Sequence, residues 1–201
     1  MMKHVFYKGT SDRTLVLLHG TGGNEHDLID LGRFIDPEAN LLGIRGNVLE
    51  HGMSRFFKRI SFGVFDEKNL LEETDNLNHF MEEAIIKYQL NPKKINAIGY
   101  SNGANILISW LFKYADIIQH AMCLHAMVPI RDIELAKHHN THVLLTAGKE
   151  DHMVNVSEMA ELKHMLETAQ IHVDLFETPY GHQITKMELD YIKTWYDELK
   201  K

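Results

Sequence analysis

Residues 99–103 read Gly-Tyr-Ser-Asn-Gly and match the pattern G-x-S-x-G. The apolar run 94–99 predicts a buried strand before this turn, and segment 104–112 predicts a helix after it. A serine on such a sharp turn is strained and exposes its hydroxyl above the sheet, while the flanking glycines avoid side-chain collisions. The helix start adds N–H groups and a positive dipole end. In this context the motif indicates a nucleophile, Ser101, rather than a surface serine in an ordinary turn.

Short apolar runs recur outward from this turn. A sixth run, 172–176, alternates like a less buried edge strand, and a further short strand is possible near residues 4–8. The other five are continuous, as in strands of a parallel sheet that is covered on both faces. These five runs are 15–18, 40–44, 94–99, 120–124 and 142–146.

Segments with helical spacing separate the runs. One apolar face extends from Leu70 to Tyr88 and stops before Pro92, and another occupies 184–199. Asn24 is a candidate cap for a helix through Leu28 and Leu31. Alternation of strands and helices predicts an α/β fold with a doubly wound, mostly parallel sheet of six or seven strands.

The expected organisation is a single domain over residues 1–201 with helices on both faces of the sheet. No regular pattern covers residues 47–69. The connection between Leu124 and Val143 is too short for an elaborate cap domain, so the site is expected to be fairly open. An open site argues against a large buried lipid as the substrate.

A glycine-rich loop, His-Gly-Thr-Gly-Gly-Asn-Glu at 19–25, follows the first buried run. No Gly-Lys-Ser/Thr follows, so a nucleotide phosphate loop is disfavoured. Hydrolysis of an ester requires donors for the oxyanion of a tetrahedral intermediate. In this strand–turn–helix architecture one donor is the N–H after the nucleophile and the other comes from the early loop. The predicted oxyanion hole is therefore Asn102 and Thr21, whereas His19 is expected to hold its loop.

Two further polar residues follow predicted strands in the order that such hydrolases show. Asp151 ends the sequence Gly-Lys-Glu-Asp after the run 142–146, and His182 lies in Gly-His after the last strand. The carboxyl ends of parallel strands meet at one edge of a sheet. Ser101, His182 and Asp151 are therefore the predicted nucleophile, base and orienting carboxylate. Glu150 is the rival for the third role, and Asp151 is favoured by its offset from the strand.

The irregular stretch offers a wall for the substrate. Its candidates are Met53, Phe56 and Phe57, and Met127 is added from the connection after Leu124. Neighbouring candidates in the same stretch are Arg55, Phe62 and Phe65. The equally weighted alternative is that these aromatic residues plug the sheet edge. If they line a pocket, an acyl or aromatic ester suits them.

Charge and cysteine content exclude several other functions. The chain has 21 basic and 28 acidic residues, a formal charge of −7, and no basic stripe, which disfavours nucleic acid as a partner. Cys123 is the single cysteine and is expected to be an inert core thiol.

No apolar run is long enough to cross a bilayer and no signal-peptide pattern is visible. Membrane insertion is therefore not expected, and a cytoplasmic location is expected. His138, His139 and His142 lack the spacing of metal ligands, so no metal is expected.

The motifs together resemble the phospholipase/carboxylesterase branch of the α/β-hydrolases, which includes acyl-protein thioesterases and small bacterial carboxylesterases. The resemblance covers essentially the whole chain. Its more specific marker is Arg-Gly-Asn-Val-Leu-Glu-His-Gly-Met-Ser-Arg-Phe-Phe at 45–57, because the triad motifs occur across the superfamily. Within the branch, the sequence is most similar to bacterial hydrolases linked to quinone and hydroquinone stress. Asn24 replaces an aspartate of many relatives, a small departure that leaves the triad motifs unaffected.

The resemblance implies a serine hydrolase without a metal or organic cofactor. The expected activity is hydrolysis of small carboxylic esters. A thioesterase or lysophospholipase acting on longer acyl chains keeps the same residues and changes the bond or the chain length. A catalytically silent binding protein with this fold is the alternative of another class. A homodimer is possible through the apolar segment 127–130 or the aromatic stretch.

Overall fold

A seven-stranded sheet forms the centre of the protein. Its strands, in spatial order, are β1 (His4–Tyr7), β3 (Asn40–Ile44), β2 (Thr14–Leu18), β8 (Ile95–Tyr100), β9 (His120–Leu124), β10 (His142–Gly148) and β11 (His172–Thr178). The computed structural model describes residues 2–61, 63–154 and 156–200. Only β1 is antiparallel to its neighbour, and every other pair in this sheet is parallel.

The central strands are buried on both faces, which explains their uninterrupted apolar sequences. In β2, Leu15 and Leu17 contact one apolar cluster, while Val16 and Leu18 contact the other. Successive strand side chains point to opposite faces, so each cluster takes every second residue. The seven strands and the two covered faces confirm the predicted doubly wound α/β sheet.

Five α-helices in the described part of the chain cover the sheet. They are α1 (Ile29–Ile35), α2 (Glu67–Tyr88), α3 (Asn102–Lys113), α4 (Val156–Thr168) and α5 (Lys186–Leu199). Residues of α2, α3 and α4 pack in the larger apolar cluster, and residues of α1 and α5 pack in the smaller cluster on the opposite face. The described residues include no large cap domain and no helix long and apolar enough to cross a membrane.

Capping residues set the start of two helices. The Asp66 carboxylate accepts a hydrogen bond from the Asn69 backbone at 3.0 Å and starts α2. Thr185 and Glu188 form a reciprocal capping box at the start of α5. The expected cap at Asn24 is wrong, because its side chain accepts from the His26 backbone in a local turn and α1 begins only at Ile29.

The irregular stretch 47–69 contains two short hairpins that the sequence pattern did not predict. They comprise β4 (Val48–Glu50) with β5 (Met53–Arg55), and β6 (Arg59–Ser61) with β7 (Val64–Phe65). These strands have two or three residues each, too few to show a periodicity. Both hairpins precede α2 and lie outside the central sheet.

The apolar segment 127–130 does not form an exposed surface for a partner. Val128 and Ile130 are each only 3% exposed and belong to the larger apolar cluster. Their side chains are used within the chain, so this route to a dimer is wrong. Dimerisation through other surfaces stays a prediction.

Three histidines lie side by side where β9, β10 and β11 begin. His142 is in register with both His120 and His172, and the His142 and His172 rings stack at 4.7 Å. His120 is buried against Trp195 and Tyr196, and its Nδ1 has no hydrogen-bond partner among the described residues. Burial, followed by the nearby His142, lowers the pKa of His120 from 6.5 to about 4.

Replacing His120 with phenylalanine is expected to reduce the loss of stability in mild acid. The unfolded chain binds a proton at His120 near pH 6.5, whereas the folded chain resists it down to about pH 4. The wild-type free energy of unfolding therefore falls as the pH decreases through this window. Each pKa unit corresponds to about 1.4 kcal/mol, and solvent screening reduces the expected difference to about 1–2 kcal/mol. Urea unfolding at pH 7.5, 5.5 and 4.5 measures it, and equal pH slopes for both proteins would contradict the prediction.

Candidate active site

Ser101 lies on a strained turn between β8 and α3. Its backbone has φ 52° and ψ −112°, a conformation that residues other than glycine rarely adopt. The turn is held because the Ser101 N–H donates to the Leu124 carbonyl at 2.8 Å. A Cβ on Gly103 would lie 2.0 Å from the Leu18 carbonyl oxygen, so only glycine allows α3 to approach β2 this closely. The turn therefore presents the Ser101 hydroxyl at the carboxyl edge of the sheet.

The three predicted triad residues form a continuous hydrogen-bonded chain. Ser101 Oγ lies 2.9 Å from His182 Nε2, and His182 Nδ1 lies 2.6 Å from Asp151 Oδ2. The Asp151 side chain is 1% exposed and the His182 side chain 20%. An imidazole held in this way can accept the hydroxyl proton at Nε2 while the carboxylate fixes the proton on Nδ1.

The loop after β10 selects Asp151 over its neighbour Glu150. Asp151 Oδ1 accepts a hydrogen bond from the Met153 backbone at 2.8 Å, which turns Oδ2 toward His182. Glu150 is exposed to solvent. Burial alone would raise the pKa of Asp151, but the hydrogen bonds from His182 and Met153 outweigh burial and hold that pKa below its ordinary value. Asp151 is therefore the carboxylate in contact with the imidazole, and it is ionised at neutral pH.

A second histidine, His125, lies behind the triad and was missed by sequence reasoning. It is 1% exposed and has a left-handed backbone with φ 53°. Its Nδ1 lies 3.3 Å from Asp151 Oδ2 and its Nε2 3.3 Å from Glu188 Oε2. Burial alone would lower the pKa of His125, but its hydrogen bonds to Glu188 and Asp151 outweigh burial and raise it. The buried imidazole thus bridges two carboxylates, one of which, Asp151, also contacts His182.

Glu188 and Tyr100 extend this support. Thr146 donates its hydroxyl to Glu188 Oε1 at 2.5 Å, and Glu188 also caps α5. The Tyr100 hydroxyl donates to the His182 backbone carbonyl at 2.5 Å. Burial and the carboxylates of Asp151 and Glu188 raise the pKa of Tyr100, so it remains a donor. The position of His182 is therefore fixed from both its ring and its backbone.

Two residues that line the pocket, Asn102 and Thr21, have backbone N–H groups without a backbone acceptor among the described residues. The N–H of Asn102 belongs to the first turn of α3 and has no intrahelical acceptor. In the loop after β2, the N–H groups of Gly22 and Gly23 bond to Ser54 and Gly20. The Thr21 N–H has no acceptor among the described residues. Thr21 and Asn102 both line the pocket that contains Ser101.

His19 and Asn102 connect this loop to the irregular stretch. His19 is 1% exposed, its Nδ1 donates to the Gly20 carbonyl at 2.6 Å, and its Nε2 accepts from the Gly46 N–H at 3.1 Å. The Asn102 side-chain oxygen accepts from the Phe56 backbone at 2.7 Å. His19 therefore holds its loop through hydrogen bonds, as its position predicted.

An open pocket of about 350 Å³ surrounds Ser101. The predicted substrate contacts Met53 and Met127 both line it. The pocket is lined by Thr21, Met53, Arg55, Arg59, Gly63, Phe65, Tyr100, Ser101, Asn102, Asn105, Met127, Met153 and His182. Its volume fits a small ligand better than a long acyl chain enclosed within it.

The expected roles of Phe56 and Phe57 need correction. Both side chains are 0% exposed and belong to the larger apolar cluster, so they do not reach the pocket. Phe57 packs edge-on against Phe65 at 5.1 Å, and Phe65 is the aromatic residue that lines the pocket wall. The two adjacent phenylalanines therefore support the wall from behind. Phe62, a further candidate, lies outside the described residues.

One cluster among the described residues has the composition of a metal site. His125, Asp151 and His182 each offer a ligand atom, and these atoms lie within 4.8 Å of one another. Two of the contacts between them are the hydrogen bonds that Asp151 Oδ2 accepts from the two imidazoles. The hydrogen-bonded chain that ends on Ser101 accounts for this cluster.

Comparison with known proteins identifies the family. The family model described as phospholipase/carboxylesterase matches residues 7–199. The chain belongs to the phospholipase/carboxylesterase family. MhqD of Bacillus subtilis (strain 168), which is named as a hydrolase, is 51% identical over 197 residues, 98% of each chain.

Solved structures agree with this family. A carboxylesterase of Bacillus cereus is 46% identical, with a TM-score of 0.97 over 99% of this chain and 95% of that one. YahD, solved with malic acid, is 33% identical, with a TM-score of 0.94 over 99% of this chain and 100% of that one. The relatives and the family model together make this phospholipase/carboxylesterase family member a carboxylic ester hydrolase.

Proposed function

We propose that the protein is a serine carboxylesterase that hydrolyses small esters through a Ser101–His182–Asp151 triad and an acyl-enzyme. The observation that carries this proposal is the unbroken chain of hydrogen bonds, 2.9 Å and 2.6 Å long, from Ser101 to Asp151. The pocket of about 350 Å³ around Ser101 supports a small substrate.

The first half-reaction acylates the serine. His182 Nε2 accepts the Ser101 proton as Oγ attacks the ester carbonyl carbon, and the carbonyl oxygen becomes an oxyanion. The N–H groups of Thr21 and Asn102 donate to this oxyanion. Asp151 stabilises the imidazolium, which then gives its proton to the alcohol as the ester C–O bond breaks. The alcohol leaves, and the acyl group remains on Ser101.

The second half-reaction returns the enzyme to its starting state. His182 takes a proton from water, the resulting hydroxide attacks the acyl carbon, and a second oxyanion forms in the same position. The imidazolium returns its proton to Ser101 Oγ as the acyl–serine bond breaks. Water is consumed, one carboxylic acid is released, and no metal or redox partner enters the balance.

A thioesterase or lysophospholipase acting on longer acyl chains is the second candidate. The open pocket mouth favours it, because a longer chain could extend over Met53 and Met127 at the pocket wall. The triad chemistry is the same for both candidates. Chain-length preference therefore distinguishes them.

The p-nitrophenyl esters from acetate to palmitate provide the test. We expect kcat/KM to be highest for acyl chains of two to four carbons and to fall by about tenfold or more by eight carbons, because the pocket of about 350 Å³ holds little more than a small ester. A maximum at eight or more carbons would replace the small-ester proposal with the long-chain candidate.

A fluorophosphonate probe separates inactivity from an unsuitable substrate. We expect the probe to label the folded wild-type protein at Ser101, since a strained serine bonded to an imidazole is an activated nucleophile. Intact-protein mass spectrometry measures one added probe per chain. A folded protein with neither labelling nor turnover would favour the silent binding protein.

A further inference from the structure

The charged side chains that line the active-site pocket are both arginines. Arg55 and Arg59 border it, and no aspartate or glutamate among the described residues does. The whole chain has the opposite bias, with 28 acidic residues against 21 basic ones. The charged residues of the pocket lining therefore have the opposite sign to the net charge of the chain.

One carboxylate is shared between the two guanidinium groups. Glu50 Oε2 lies 3.3 Å from Arg55 Nε and 3.1 Å from Arg59 Nε. Two positive charges and one negative charge leave one unit of positive charge at the pocket wall. Burial and the neighbouring Arg59 lower the pKa of Arg55, and the charge of Glu50 compensates only in part.

The two arginines differ in burial and in the number of their hydrogen-bond partners. Arg55 is 4% exposed, and it donates to the Thr21 hydroxyl at 2.8 Å and to the Phe57 carbonyl at 3.2 Å. Arg59 is 27% exposed along its side chain, and its two terminal nitrogens make no hydrogen bond among the described residues. Arg55 is therefore committed to the loops around the nucleophile, while Arg59 has donors available for a ligand.

We propose that the enzyme prefers esters that carry a carboxylate, which Arg59 binds at the pocket wall while the ester carbonyl lies over Ser101. A guanidinium offers paired donors that match the two oxygens of a carboxylate. Phe65, paired with Arg59 across the β6–β7 hairpin, supplies an apolar surface beside the charge. This inference rests on the proposed serine esterase and names its substrate class.

A pair of esters that differ only in charge tests the preference. The ester 4-acetoxybenzoate carries a carboxylate, and 4-acetoxybenzamide is its neutral counterpart of nearly the same shape. We expect the wild-type ratio of kcat/KM, anionic over neutral, to exceed ten at low salt and to fall several-fold in 0.5 M NaCl, because salt screens an exposed charge pair. A ratio near one at low salt would overturn the proposal.

Two variants are expected to move this ratio in opposite directions. Arg59→Gln removes the charge that binds the carboxylate and is expected to lower the ratio about tenfold. Glu50→Gln removes the compensating carboxylate and is expected to raise it several-fold. Arg131→Gln is the matched control, since Arg131 pairs with Glu158 and Glu161 outside the pocket and loses the same charge. A loss of packing would slow both esters alike, so equal ratios in all four proteins would refute the role of Arg59.

Binding of an uncleavable pair separates this inference from the proposed catalysis. The anilides 4-acetamidobenzoate and 4-acetamidobenzamide have the same charges as the esters, and calorimetry with the Ser101→Ala protein measures their affinity without turnover. We expect the benzoate to bind about tenfold more tightly, with the difference lost in Ser101→Ala/Arg59→Gln. Selective binding without ester hydrolysis by the wild type would refute only the serine esterase. Hydrolysis with equal binding and equal rates would refute only the carboxylate preference.

Discussion

Replacing Ser101 with alanine is expected to lower kcat on p-nitrophenyl butyrate by about 10⁵- to 10⁶-fold. The substitution removes the atom that forms the acyl-enzyme and leaves His182 without the proton it accepts at 2.9 Å. Binding in the pocket and the oxyanion donors then account for the residual rate, because triad members act as a unit. The measurement is kcat for wild type and variant at pH 8, with the fluorophosphonate probe used to count active wild-type sites.

Ser109→Ala is the matched control for this experiment. Ser109 lies on the same helix, α3, is 0% exposed, and shares a 2.8 Å hydrogen bond with Thr74. Losing that bond is expected to lower the stability by about 1 kcal/mol and to leave kcat within about twofold of the wild type. A Ser101→Ala protein that retains more than one part in a hundred of the activity would contradict the acyl-enzyme mechanism.

The sequence predicted the sheet well because the physical signal for buried parallel strands is local. All five continuous apolar runs coincide with central strands, and the alternating run 172–176 lies within the edge strand β11. Burial on both faces requires apolar side chains at every position, which is visible without any knowledge of neighbours. The sequence of α4 also has helical periodicity, since Met159, Leu162 and Leu166 follow helical spacing and are buried.

Local sequence patterns could not predict the parts of the site that depend on contacts between residues far apart in the chain. His125 meets Glu188 across 63 positions of sequence, and no spacing rule relates a residue after β9 to the first turn of α5. The sequence predicts Phe56 and Phe57 as part of the substrate wall because two adjacent aromatic residues in an irregular stretch are typical of a pocket lining. Tertiary packing buries both of them, and the pocket takes Phe65 and the two arginines instead.

The proximity of Ser101, Asp151 and His182 could be predicted because each of them follows a strand at the same edge of the sheet. Ser101 follows β8, Asp151 follows β10 and His182 follows β11. The strands β8, β9, β10 and β11 are neighbours in this order, and each pair is parallel. Parallel register brings the three loops together even though 81 positions of sequence separate Ser101 from His182. The sheet topology thus brings three residues that are distant in sequence within hydrogen-bond distance of one another.

Asp151→Asn is expected to lower kcat/KM by about 10⁴-fold at pH 7. The asparagine oxygen can still accept the Met153 N–H, but its amide group would then face His182 Nδ1 and donate to it. The imidazole would carry its proton on Nε2 and could not accept one from Ser101. Loss of the buried negative charge also removes the stabilisation of the imidazolium. The pH–rate profile and the rate of fluorophosphonate labelling are both expected to report this loss.

Glu150→Gln separates the role of Asp151 from the general loss of an acidic group. Glu150 is the adjacent carboxylate and lies exposed on the same loop, so its removal changes the charge equally without touching the imidazole. We expect this variant to retain activity within about twofold of the wild type and to unfold at the same urea concentration. The opposite pattern, with Glu150→Gln inactive and Asp151→Asn active, would assign the orienting carboxylate to Glu150. Such a result would require a loop conformation after β10 different from the one that holds Asp151 Oδ2 2.6 Å from His182.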